Sequence, residues 1–364
     1  MFYRKVLKPV LFRMDPERAH RFVMGGLKLT GSLPGGPALI GAMAGGGSRP
    51  ELSMELWGLR FANPVGLAAG LDKNGEAVAG FSALGFGFVE IGTVTPRPQP
   101  GNERPRLFRL PSDEALINRM GFNNEGAERL ARRLERLGER SVPVAVNIGK
   151  NKTTPNERAA EDYVACIRQL YRHADLFVIN VSSPNTPDLR KLQHGDELRR
   201  LLESAAEEME RQRGMHGRKL PMLVKIAPDL SDDELERIVE TVSAGNVSGI
   251  IATNTTIRRD GLTHGNAKEA GGLSGKPLRR RSTEIVRRIY KLTKGKLPIV
   301  GAGGIFSAED AYEKIRAGAS LVEIYTGLIY RGPGIVREIT GGLCRLLAGD
   351  GFGHISHAIG ADAD

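Results

Sequence analysis

From residue 63 onward, short apolar runs of β type alternate with amphipathic helical runs. Eight apolar runs predict strands over 64–69, 88–94, 144–148, 176–181, 222–226, 249–253, 299–302 and 321–325. Helical periodicity follows each of them, over 74–84, 123–139, 156–172, 196–213, 231–245, 278–293, 307–317 and 331–347. The strand runs are continuously apolar rather than alternating, as expected of parallel strands buried on both faces. Eight such units predict an α/β fold, a (β/α)8 TIM barrel. A doubly wound sheet is the alternative, and it fits less well because no G-x-G-x-x-G follows the first strand.

Ahead of the barrel the pattern changes. Phe2, Tyr3, Val6, Leu7, Val10, Leu11 and Met14 recur at helical spacing, with Arg4, Lys5, Lys8 and Arg13 on the other side. Asp15-Pro16-Glu17 supplies an N-cap, a proline for the first turn and an acid near the helix start. A second helix is predicted from there, with Ala19, Phe22, Val23 and Leu27 as its apolar face. Two basic amphipathic helices read equally as an interfacial membrane-binding module or as a hairpin packed on its own barrel. The expected organisation is a helical extension over 1–50, a barrel over 51–347 and a flexible Gly/Ala/His-rich tail over 348–364.

Charge sharpens this picture. The 364 residues carry a net +10, and the first 50 hold eight basic residues against Asp15 and Glu17. Most of the excess therefore sits on an amphipathic hairpin. A nucleic-acid groove would spread it along one face, so nucleic acid is not an expected partner. The uncharged run 29–48 contains seven Gly and two Pro, too broken for a membrane-spanning helix. Lys8 and Pro9 interrupt the only stretch that resembles a secretory signal. Two cysteines exclude a disulfide scaffold, and both Cys166 and Cys344 fall on apolar helix faces. Seven scattered His without H-E-x-x-H argue against a protein-held metal.

In a barrel the chemistry lies at the C-terminal ends of the strands. Those ends here read Ala69-Gly70-Leu71-Asp72-Lys73, Gly92-Thr93, Asn147, Asn180 to Thr186, Lys225, Thr253-Asn254-Thr255, Gly301 to Gly304 and Tyr325-Thr326-Gly327. One polar residue there would be ordinary loop composition; a near-complete ring predicts a ligand site. The Gly-rich ends of strands seven and eight suit a phosphate, with Gly303, Gly304 and Thr326 offering backbone N–H groups. Lys225 is a buried cation suited either to Schiff-base chemistry or to stabilising an anionic ring. No carboxylate pair for glycoside hydrolysis is found at these ends.

Several of these stretches resemble one family. They are Gly66 to Lys73, Ile91 to Asn102, Asn118 to Asn123, Asn180 to Thr186, Lys225 to Leu230, Ala252 to Thr256, Gly271 to Gly275 and Gly301 to Ile305. In order and length they resemble the class 2, quinone-dependent, membrane-associated dihydroorotate dehydrogenases. The resemblance covers residues 1 to about 345. Ser183, where the soluble class carries Cys, and the N-terminal extension point to class 2. The resemblance implies oxidation of (S)-dihydroorotate to orotate in pyrimidine biosynthesis, with FMN as cofactor and a membrane quinone as final acceptor. It implies a peripheral protein on the cytoplasmic face of the bacterial membrane. Ser183 would be the general base, aided by Thr186, and Lys225 would stabilise charge on the flavin. FMN contacts carried over are Ala69, Gly70, Leu71, Asp72, Lys73, Thr93, Asn147, Asn180, Lys225, Thr253, Gly275, Gly304, Tyr325 and Thr326. Substrate contacts are Lys73, Asn118, Arg119, Met120, Gly121, Phe122, Asn180, Asn185, Asn254 and Thr255. His20 and Arg109 fall where the family has polar groups near the quinone head. Rival readings are a soluble flavin dehydrogenase using fumarate or NAD, a flavin barrel acting on RNA, and a non-catalytic membrane-binding barrel.

Overall fold

The computed structural model describes residues 2–44, 47 and 49–363. Eight parallel strands close a barrel: β1 (Val65–Leu67), β2 (Phe88–Val94), β3 (Val144–Ile148), β4 (Leu176–Asn180), β5 (Met222–Ile226), β6 (Gly249–Ala252), β7 (Ile299–Ala302) and β8 (Leu321–Ile324). Each strand pairs with its neighbour in chain order, and β8 pairs with β1 through Glu323 opposite Gly66. Every residue of the eight strands is buried, which is why their sequences are mostly apolar; Glu90, Thr93, Asn147, Asn180, Lys225 and Glu323 are the polar exceptions. The eight predicted helical runs all form, and two of them begin with a capping box, Ser231 with Glu234 and Ser307 with Asp310.

Two additions close the ends of the barrel. A hairpin of Met54–Leu56 and Leu59–Phe61 covers the N-terminal mouth. Trp57 Nε1 donates to Ser248 O at 2.8 Å, and the Phe61 ring meets Phe88 edge-on at 5.6 Å. At the other mouth, Leu107–Leu110, Ala115–Asn118 and Gly272–Gly275 form an antiparallel sheet. Its strands come from the long connections after β2 and β6. Their pairing joins residues more than 150 positions apart, which no local pattern reports.

The N-terminal extension comprises a π-helical turn (Tyr3–Leu7), α1 (Lys8–Arg13), α2 (Pro16–Ser32) and α3 (Gly36–Ala44). Asp15 caps α2 as predicted, its carboxylate accepting from Arg18 N at 2.9 Å. The helix α2 lies against α4 (Val78–Ala83), where glycine meets glycine. A Cβ on Gly31 would stand 2.8 Å from Gly80 N, so the approach requires glycine. The predicted apolar face of α2 splits: Ala19 is buried and Leu27 half-buried against the core, whereas Phe22 is 70 % exposed and Val23 39 %; Met24, outside that face, is buried. The helix α3 was hidden within the Gly/Pro-rich run. Among the described residues, ten of the thirteen exposed large apolar side chains belong to this extension. The hairpin is therefore both packed on the barrel and left apolar outside.

The expected flexible tail is corrected by the structure. Ile355 and Ala358 sit fully buried in a 3-10 turn, and Gly360 N donates to Ile315 O at 3.1 Å. Arg316 reaches both Asp350 and Asp362. The isolated apolar residues of a Gly-rich segment gave no periodic signal, yet they fill a groove beside Tyr290 and helix Ala308–Arg316. Replacing Ile355 by Ala should cost roughly 2–5 kcal/mol and lower the melting temperature; an unchanged melting temperature would show that the tail is not packed.

Candidate active site

The strand ends open into one cavity whose empty space, including the part open to solvent, is about 1010 Å³. The antiparallel sheet contributes Asn118, Ser274 and Gly275 to its wall, beside residues from the barrel strands and their loops.

A buried charge cluster forms the cavity floor. Lys225 Nζ on β5 lies 2.6 Å from Glu90 Oε2 on β2 and 3.1 Å from Glu323 Oε2 on β8. Burial acts to lower the Lys225 ammonium, but the Glu323 and Glu90 carboxylates outweigh it and hold the pKa above that of ordinary lysine. Lys225 is therefore a cation and not a poised amine, which disfavours the Schiff-base alternative. Its third N–H has no protein partner among the described residues and Lys225 borders the cavity.

Amides are fixed around this floor. Asn180 Nδ2 donates to Thr93 Oγ1 at 2.9 Å and Asn147 Oδ1 at 3.1 Å, and Asn147 Nδ2 donates to Glu90 Oε1 at 2.7 Å. Asn254 Nδ2 donates to Ser182 Oγ at 2.9 Å, and Asn185 Nδ2 to Asn118 Oδ1 at 3.1 Å. Ser183 borders the cavity with its Oγ accepting from Asn185 N at 3.2 Å. Lys73 Nζ donates to Gly70 O at 2.6 Å, and burial followed by the Arg106 charge lowers it to about 8. A buried ammonium held by one carbonyl suits an anionic group. At the opposite side Gly275, Gly303 and Gly304 all take positive φ, and Ser274 and Thr326 hydroxyls meet at 2.8 Å. This is where barrels hold phosphate.

A family model for dihydroorotate dehydrogenase matches residues 51–347. The chain belongs to the dihydroorotate dehydrogenase family. A relative from Deinococcus deserti, named dihydroorotate dehydrogenase (quinone), is 59 % identical over 99 % of this chain and 100 % of its own length. One of the same name from Deinococcus radiodurans is 54 % identical over 98 % and 99 %. The crystal structure of an Eimeria tenella DHODH in complex with ferulenol superposes with a TM-score of 0.89 at 43 % identity, over 96 % of both chains.

The cavity brings together most residues expected of this family from sequence. Ala69, Gly70, Lys73, Thr93, Asn180, Lys225, Thr253, Gly275, Gly304, Tyr325 and Thr326 border it, as do Asn118, Met120, Gly121, Phe122, Ser183, Asn185, Asn254 and Thr255. Others stand elsewhere. Asn147 lies behind the wall, bonded to Asn180, Thr93 and Glu90. Leu71 belongs to the apolar core. Asp72 caps the next segment, accepting from Glu76 N and Ala77 N at 2.8 Å each. Arg119 turns away to pair with Glu269 at 2.8 Å over the Phe108 ring. Thr186 is buried outside the cavity wall, its Oγ1 without a protein partner. Arg109 donates to Met14 O at 2.8 Å and stacks on Phe12, tying the α1–α2 turn to the antiparallel sheet. Neither His20 nor Arg109 borders the central cavity.

Sequence reasoning missed Glu90, Glu323 and Ser274. The first two carried a readable signal, since an acid inside a wholly apolar strand run must find a buried partner. Burial, then the Lys73 charge, lowers His20 to about 4. The ring should be neutral at neutral pH, and its protonation as pH falls below that of free histidine should destabilise the fold. A nuclear magnetic resonance titration of His20 should place its midpoint near 4; a midpoint of an ordinary histidine would show that the ring is open to water.

Proposed function

We propose that this protein oxidises (S)-dihydroorotate to orotate in pyrimidine biosynthesis, using FMN as its flavin and a membrane quinone as final acceptor. The observation that carries this is the single cavity in which a fixed ammonium, Lys225, faces Ser183 and a set of anchored amides. The near-full-length likeness to proteins named for this quinone-dependent reaction supports it.

The residues fit FMN. Gly275, Gly303, Gly304 and Thr326 line a polar end suited to phosphate, and the free N–H of Lys225 suits the electron-rich edge of a flavin ring. FMN, when bound, supplies the hydride acceptor. Lys73 would hold the substrate carboxylate, while Asn118, Asn185 and Asn254 would pair with the ring edges. Ser183 would take the C5 proton. Among the described residues no His or carboxylate bonds its hydroxyl, and the buried Thr186 hydroxyl, without a partner there, suits a water that relays the proton outward.

His20 on α2 and Arg109 beside α1 would flank the quinone path between the helical extension and the barrel. The exposed side chains of Phe2, Val10, Phe22, Leu29, Leu39 and Met43 among basic residues suit a membrane surface. No helix is long and apolar enough to cross a membrane among the described residues. The likeness to relatives named as quinone-dependent supports a peripheral protein, which we place on the cytoplasmic face of the membrane.

Anaerobic mixing of the flavin-loaded protein with dihydroorotate should bleach the flavin, and colour should return with a quinone but not with fumarate or NAD. Failure to bleach would overturn the substrate; recovery with fumarate or NAD would overturn the quinone reading. Ser183→Ala should keep the flavin spectrum yet slow bleaching by roughly 10²-fold or more. Bleaching at the native rate would remove Ser183 from the role of base.

A further inference from the structure

The proposed chemistry uses Lys225 but leaves its two carboxylate partners without a task, and these partners are unequal. Glu90 is saturated: Oε1 accepts from Asn147 Nδ2, while Oε2 accepts from Ala69 N at 2.7 Å and from Lys225. Its three donors leave neither Glu90 oxygen without a partner. Among the described residues Glu323 has one donor, Lys225, on Oε2, and its Oε1 is buried without a hydrogen-bond partner. Its side chain is 0 % exposed, yet Glu323 borders the cavity. An ionised carboxylate so placed has no donor for half its charge, whereas a protonated one turns Oε1 into a donor.

Among the described residues, the charged groups facing Glu323 are Glu90 and Lys225. The adjoining strands β1 and β7 bring no charged side chain. On helix Ala308–Arg316, the buried Lys314 is committed to Arg279 O and Thr283 Oγ1. Lys73, elsewhere on the cavity wall, answers to Arg106, Glu17 and Asp72.

We infer that Glu323 is a positioning residue that holds the exchangeable proton of the Glu90–Lys225–Glu323 cluster and thereby sets the net charge presented to the flavin. This rests on the flavin reading above. With Glu323 protonated the cluster is neutral; with it ionised the cluster is −1 by residue charge. At a pH where Glu323 is ionised, the negative charge brought to this wall on flavin reduction would draw a proton from water onto the Glu323 carboxylate, and reoxidation would return it to water. No bond to substrate is made or broken by it. Burial, then the Glu90 charge, pushes the Glu323 carboxyl up to about 8, which leaves it protonated at neutral pH and ionised above.

The test is the midpoint potential of the bound flavin from about pH 6 to about pH 10, in the native holoenzyme, Glu323→Gln and Glu323→Asp. The native potential should fall more steeply with pH above about 8 than below. Glu323→Gln should follow one slope throughout, and Glu323→Asp should restore a break. The same break in the native protein and Glu323→Gln would overturn the proposal. Infrared difference spectra of the native holoenzyme need no variant: reduction above the break should raise a protonated-carboxyl band, and its absence would overturn the proposal. Bleaching by dihydroorotate is a separate readout. Its loss with the break intact would overturn the substrate and leave the Glu323 role standing.

Discussion

A lysine ammonium in the middle of a closed barrel is the constraint around which the cavity is arranged. Lys225 cannot sit among the buried apolar residues of β5 without counter-charges. Glu90 and Glu323 supply them from β2 and β8, so three well-separated strands are tied through one Nζ. Removing one partner of such a pair typically costs about 3–5 kcal/mol, because the other charge remains buried. The cluster then extends outward: Glu90 holds Asn147, and Asn147 and Thr93 hold Asn180. The amides at the cavity wall are thus fixed before any ligand arrives, which is what electrostatic preorganisation requires.

The rim depends on a different device. The antiparallel sheet over the mouth is assembled from two loops, and it sets Asn118 and Gly275 opposite the strand ends. Arg109 then links that sheet to the turn between α1 and α2, and Arg106 links it to Glu17 at 2.7 Å. The helical extension is consequently joined to the same rim that closes the cavity. Its inner face is packed glycine to glycine, and its outer face keeps apolar side chains in contact with solvent. Such a concentration of exposed apolar groups on one segment is characteristic of a surface that meets another phase or partner.

Eight strands, their following helices and the ring of polar strand ends were legible because parallel strands buried on both faces must be apolar and because barrel chemistry gathers at one end. Position along the chain did not reveal depth. Leu71 and Asp72 share the Ala69–Lys73 turn, but one faces the core and the other caps the backbone that follows. Asn147 ends a strand as Asn180 does, yet stands behind it. Arg119 lies in a matching motif and points to Glu269. Motif membership identifies a segment, while the direction of each side chain is set by pleat and turn.

The amino-acid sequence alone determined the barrel, the amphipathic extension, the capped start of α2 and the family, since periodicity, caps and long ordered motifs are local properties of the chain. Tertiary structure decided the antiparallel rim, the docked C-terminal segment and the pairing of Glu90 and Glu323 with Lys225. Each of these rests on contacts between residues distant in sequence. Burial and charge compensation are properties of the closed fold: an acid in an apolar run signals that a partner exists, and only closure of the barrel shows which lysine it is and which carboxylate oxygen is left without one.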